Sequence, residues 1–242
     1  MKRIIALLSI LVISGCSKND NNPLEEQLDL KSESSAVATV AVEQRYLALG
    51  DSYTVGESVS QQQSFPFQLV AKLNSRGKNF LPAKVIARTG WTTADLQKGV
   101  TAANVQRKYD FVSLAIGVNN QYQGLSKSAY RTQFRALLKQ AITFANGKPS
   151  HVGVISIPDW GQTPYGKKSG RNLANVSAEI DAFNVINKAE CDAVGASYTN
   201  ITPVSRTVTK DPALVAADGL HYSAKMYAIW VNAIIASYNR DN

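Results

Sequence analysis

Cysteine is nearly absent: the 242 residues hold only Cys16 and Cys191. Two thiols build no disulfide framework, so stability has to come from a packed apolar core. Histidine is equally scarce. His151 and His221 stand seventy residues apart, and no His or Cys pair has metal-ligand spacing, which argues against a metal centre. No G-x-S-x-G occurs, so the nucleophile elbow of an α/β-hydrolase is missing. "GQTPYGKKSG" (161–170) almost completes a phosphate-binding loop, but Lys168 stands where a Mg²⁺-binding hydroxyl is required. "NDNN" (19–22) lacks the rest of a calcium loop. The expectation is therefore a chain that needs no metal and no cofactor.

Long apolar runs are also missing, apart from Ile4 to Ile13 behind Lys2 and Arg3. Ten residues are too few to span a bilayer, and the arrangement reads as a secretory signal over residues 1–15. Its end, "ISGC", resembles a bacterial lipobox. That resemblance implies lipidation of Cys16, removal of residues 1–15 and attachment to a membrane, and Ser17 in the next position suits the outer membrane. The alternative is an ordinary cleaved signal beside an unrelated Cys. Removing residues 1–15 takes away two cations and no acid, lowering the net charge from +8 to +6. The cations are scattered, with "GKK" (166–168) the densest cluster, so the basic balance suits a cell envelope and not nucleic acid.

Residues 16–44 begin polar and hold no sustained period, as expected of a tether. Residues 45–242 leave 198 positions, enough for one domain with a sizeable core. There, apolar runs at 45–50, 83–88, 110–117, 151–158 and 195–201 alternate with helical spacing. Ala129, Phe134, Leu137, Leu138, Ala141 and Phe144 share one predicted helix face. Met226, Ile229, Trp230, Ala233 and Ile234 share another, with Ser223 as its N-cap. The alternation predicts an α/β fold, a parallel sheet of about five strands between helical layers. Functional residues of such folds gather where the strands end.

Asp51-Ser52, Gly90, Asn119 and Asp159-Trp160 follow predicted strands. Ser52 is either a helix cap or a nucleophile, and a nucleophile needs a base held by a third group. His151 sits at the wrong end of its strand. His221 lies before the last helix, and Asp218, three residues earlier, is close enough to fold back onto Nδ1. Backbone N–H groups at Ser52 and Gly90 and the side-chain amide of Asn119 suit an oxyanion hole. Asp159 is a second candidate carboxylate, and Tyr53, Trp91, Tyr122, Trp160 and Tyr165 are candidates for a pocket rim.

The segments "LGDSYT", "TGWTTADL", "IGVNNQ" and "DGLHYS" resemble the four blocks of the SGNH hydrolases, also called GDSL esterases and lipases. The resemblance spans nearly the whole domain. It implies a flavodoxin-like three-layer α/β/α sandwich and a serine esterase acting on acyl or acetyl groups of lipid or carbohydrate through an acyl-enzyme. It assigns Ser52 as nucleophile, His221 as base and Asp218 as its orienting partner, with Ser52, Gly90 and Asn119 as oxyanion donors. Two departures stand out: Tyr53 where the family usually has Leu, and Asn120 where it usually has Asp. The alternative is a catalytically silent glycan- or acyl-binding module of hydrolase ancestry. Loss of Ser, His or Asp would mark such decay, and all three are present.

Overall fold

The computed structural model describes residues 42–106 and 108–241. The signal, Cys16 and most of the predicted tether lie outside the described residues. Five strands form one parallel sheet: β1 (Tyr46–Gly50), β2 (Lys84–Ala87), β3 (Phe111–Ala115), β4 (Val152–Ile155) and β5 (Ser197–Thr199). Each falls inside a predicted run. Every residue of β1, β3 and β4 is buried, because both faces of a parallel sheet are covered and neither can afford a polar row. Gln44, placed in the tether by its sequence, already pairs with Phe80.

The strand order is β2-β1-β3-β4-β5. In register, Leu49 lies between Ile86 of β2 and Leu114 of β3. This order is the flavodoxin-like doubly wound one, in which the chain reverses direction between β1 and β3. In such folds the ligand crevice is expected at the carboxyl ends of those two strands.

Short α1 (Ser52–Val55) follows β1, and α2 (Phe65–Asn74) precedes β2. Next come α3 (Thr93–Ala103), α4 (Val118–Tyr122), α5 (Lys127–Phe144), α6 (Pro164–Lys168) and α7 (Leu173–Val194). Last are α8 (Thr202–Ser205) and α9 (Ala224–Asp241). The long helices associate in two groups, α2 with α9 and α5 with α3 and α7. Local sequence sets their ends: Thr92 and Asp95 form a capping box on α3, and Asn172 caps α7, which stops at Gly195.

The core faces follow most of each predicted stripe, with one exposed position on each helix. Phe134, Leu137, Leu138 and Ala141 are buried on α5, but Ala129 is exposed and Tyr130 takes its place in the core. On α9, Met226, Trp230 and Ile234 are buried while Ile229 is exposed. Ser223 stands immediately before α9, at the predicted N-cap position, and its Oγ donates to the carbonyl of Ala213 at 2.6 Å. Cys191 is a free, fully buried thiol, and burial pushes its pKa up to about 12, which leaves it inert near neutrality.

Candidate active site

β1 ends in a turn so tight that only glycine fits it. A Cβ on Gly50 would lie 2.0 Å from Thr54 Oγ1 and 2.4 Å from the Ala115 carbonyl oxygen. The turn delivers Asp51 and Ser52 to the carboxyl edge of the sheet. Asp51 caps α1, its Oδ1 accepting the Tyr53 N–H at 3.1 Å. The capping task is thus taken, and Ser52, 5% exposed, keeps a hydroxyl with no hydrogen-bond partner among the described residues. Burial raises the Asp51 carboxyl to about 7, against the opposing effect of backbone donors from Tyr53, Asp51 and Gly117.

Asp218 and His221 form the second half of the site. His221 Nδ1 lies 2.5 Å from Asp218 Oδ2, while Asp218 Oδ1 accepts the backbone N–H groups of Leu220 and His221, each at 2.9 Å. Ser58, 160 residues away in sequence, donates from Oγ to Asp218 Oδ2 at 2.7 Å. Desolvation pushes the Asp218 carboxyl up, but hydrogen bonds from Ser58, His221 and the two backbone donors outweigh it. The net result holds Asp218 well below the usual carboxylate range, so it is a firm acceptor that keeps the Nδ1 proton in place. The Tyr53 ring lies edge-on to the imidazole, with centroids 5.5 Å apart, which brings the His221 loop against the residue after Ser52.

The third group comes from β2 and β3. Gly90 has φ of +85°, and nothing lies within 4 Å of where its Cβ would be, so its backbone faces open space. Neither the Ser52 N–H nor the Gly90 N–H donates to an acceptor among the described residues. Asn119 Nδ2 donates to the Trp91 carbonyl at 2.9 Å, which ties the β3 end to the Gly90 loop, and its second amide hydrogen has no partner among the described residues. Asn120, unusual by comparison with the family resemblance, has a defined task. Its Oδ1 accepts Thr93 N–H at 3.0 Å and its Nδ2 donates to Thr93 Oγ1 at 2.8 Å, which stitches α4 to the start of α3.

Other candidates part company with the site. Asp159 is fully buried and held by Arg206 Nε at 2.8 Å, Ser177 Oγ at 2.5 Å and Gly161 N–H at 3.0 Å, so it has no share in orienting His221. His151 stands in the turn before β4, at the opposite edge. Tyr53 and Trp160 are core residues, and the Trp91 ring lies on Gly99 of α3. Only Tyr122 and Tyr165 remain at an exposed rim. Ser58 escaped the sequence reading because nothing local marks it. Its φ of 67° is uncommon for a non-glycine residue and is visible only in three dimensions. The 57–58 turn is also joined to the Gly90 loop through a short hydrogen bond from Thr89 Oγ1 to Glu57 Oε2.

A doubly wound sheet with these groups at its switch point has the framework of a carboxylic ester hydrolase. Residues 48–229, about three-quarters of the chain, match the family model described as the GDSL-like Lipase/Acylhydrolase family, and the chain belongs to that family. Its similarity to solved structures is one of fold. TesA superposes with a TM-score of 0.62 at 16% identity, covering 82% of this chain and 100% of the other. The psychrotrophic esterase EstA from Pseudoalteromonas sp. gives 0.61 at 16%, covering 81% and 97%. The acetylxylan esterase from Geobacillus stearothermophilus gives 0.61 at 16%, covering 81% and 94%. No curated protein matches the sequence.

Proposed function

We propose that the protein is a serine esterase in which Ser52, His221 and Asp218 act as a triad. The observation that carries this reading is the 2.5 Å contact of Asp218 Oδ2 with His221 Nδ1 at the sheet edge where Ser52 keeps an uncommitted hydroxyl. Held in that tautomer, His221 presents Nε2 as the base. Ser52 Oγ attacks the ester carbonyl as its proton passes to His221. The oxyanion is held by the N–H groups of Ser52 and Gly90 and by Asn119 Nδ2, all neutral donors. His221 then protonates the departing alkoxide, and a water that it deprotonates releases the acyl group from Ser52.

The substrates on this reading are carboxylic esters carrying acyl or acetyl groups on lipid or carbohydrate. Lipid attachment at Cys16 would hold the domain at the outer membrane, close to either class. Metabolic labelling with an alkyne fatty acid, lost in Cys16→Ser, tests the anchor. Hydrolysis of p-nitrophenyl acetate, butyrate and octanoate by the purified protein, beside Ser52→Ala, tests the chemistry. The expected result is activity that disappears in the variant. A folded protein inactive on every ester would instead indicate a binding module, and equal activity in both would leave Ser52 without a catalytic role.

A further inference from the structure

Among the described residues only two aromatic side chains are exposed, Tyr122 at 38% and Tyr165 at 40%, and their hydroxyls meet at 2.9 Å. They come from opposite sides of the site. Tyr122 lies three residues after Asn119 on α4, so the two share a helix face. Tyr165 lies in α6, and its N–H donates to the Gly219 carbonyl at 2.9 Å, immediately beside Asp218. The hydroxyl bridge therefore runs from the helix that carries the amide donor to the loop that carries the Asp–His pair.

The Tyr122 ring is backed firmly. It stands edge-on to Trp160 at 5.2 Å, and the Arg171 guanidinium lies over it at 4.4 Å while Arg171 Nη2 donates to its carbonyl at 2.9 Å. Trp160 is anchored in turn by its Nε1, which donates to Gln121 Oε1 at 2.7 Å. By contrast, the bridge itself is a single neutral hydrogen bond open to water, so opening it costs little.

We propose that Tyr122 and Tyr165 are specificity-determining residues, a two-hydroxyl gate that closes one side of the site and favours esters with short substituents. The proposal rests on Ser52 being the nucleophile. A long substituent reaches its productive position only in the open state, so its kcat/KM scales with the open fraction, whereas a short one reacts in either state.

The test compares the full protein with Tyr122→Phe, Tyr165→Phe, the double Phe variant, Tyr165→Ala and Ser52→Ala. One ester series varies the acyl chain (p-nitrophenyl acetate, butyrate and octanoate), and the other varies the alcohol (methyl, butyl and octyl acetate). The readout is the ratio of long-chain to short-chain kcat/KM, which does not depend on the fraction of protein folded. Each Phe variant deletes one hydroxyl and keeps the ring. The ratio is expected to rise about three- to tenfold in at least one series, the range that loss of one net hydrogen bond produces. The double variant should match either single, because one bond needs both hydroxyls. Tyr165→Ala should raise the ratio at least as far. Ratios unchanged in both series, or kcat falling equally for every ester, would overturn the gate and reduce the pair to a brace, while Ser52→Ala still reported on the triad. Activity persisting in Ser52→Ala would overturn both readings.

Discussion

Asp51 caps α1 by accepting the Tyr53 N–H at 3.1 Å, and so frees Ser52 from a structural duty that a serine at a helix start often performs. The cap is also a titrating group, and its two roles separate in Asp51→Asn, which keeps an acceptor and loses the charge. Burial raises the folded-state pKa to about 7, above the ordinary 3.8. A raised acid pKa means that the folded state binds the extra proton, so stability falls as pH rises between those values. Melting temperatures of Asp51→Asn and the native protein should diverge in favour of the variant between about pH 4 and 7 and run parallel above that. A difference independent of pH would contradict the assignment.

Asp218 titrates in the opposite sense. Its folded pKa is depressed, so it stabilises the protein above about pH 4 and that contribution disappears as the pH falls. Asp218→Asn should flatten this acid limb. In ester hydrolysis it should lower kcat by roughly 10³- to 10⁴-fold, because an amide in place of the carboxylate no longer fixes the imidazole tautomer.

Ser58 supplies a second hydrogen bond to Asp218 Oδ2, the oxygen that also meets His221 Nδ1. Ser58→Ala keeps the backbone turn and removes that donor. kcat/KM should fall about three- to tenfold, in line with one net hydrogen bond, with circular dichroism and melting temperature little changed. An unaltered rate would make Ser58 a bystander.

On the proposed mechanism Asn119→Ala removes one donor to the oxyanion, and it also removes the tie to the Trp91 carbonyl. Steady-state kinetics should show kcat reduced by about 10²- to 10³-fold with KM nearly constant, since the interaction strengthens only as negative charge develops. A variant altered in KM alone would move Asn119 from oxyanion binding to substrate binding.

Gly50→Ala tests the turn itself. With the added methyl 2.0 Å from Thr54 Oγ1 and 2.4 Å from the Ala115 carbonyl, the backbone must shift. The expected loss is about 3 kcal/mol or more by chemical denaturation, because overpacking at a backbone carbonyl has no side chain that can yield. Gly90→Ala meets nothing within 4 Å and should cost only about 1–2 kcal/mol, the strain of a positive φ.

How much of this was legible in the chain depends on how local each feature is. Apolar runs such as "YLALG" and "FVSLA" become strands because burial on both faces demands continuity, and the site residues follow them directly. Asp218 and His221 were legible for the same reason: three residues suffice for the carboxylate to reach Nδ1. Residue spacing alone put Ala129 and Ile229 in the core, but the buried face runs through their neighbours Tyr130 and Trp230 and leaves both exposed. Strand order, the Ser58 donor, the capture of Asp159 by Arg206 and the meeting of Tyr122 with Tyr165 join residues 37 to 160 positions apart. Local periodicity and turn chemistry were enough to determine the elements and the chemistry at their ends. Only the packing of the sheet between its helices decided which of those ends face one another, because long-range pairing is set by shared burial and leaves no mark on any single stretch of chain.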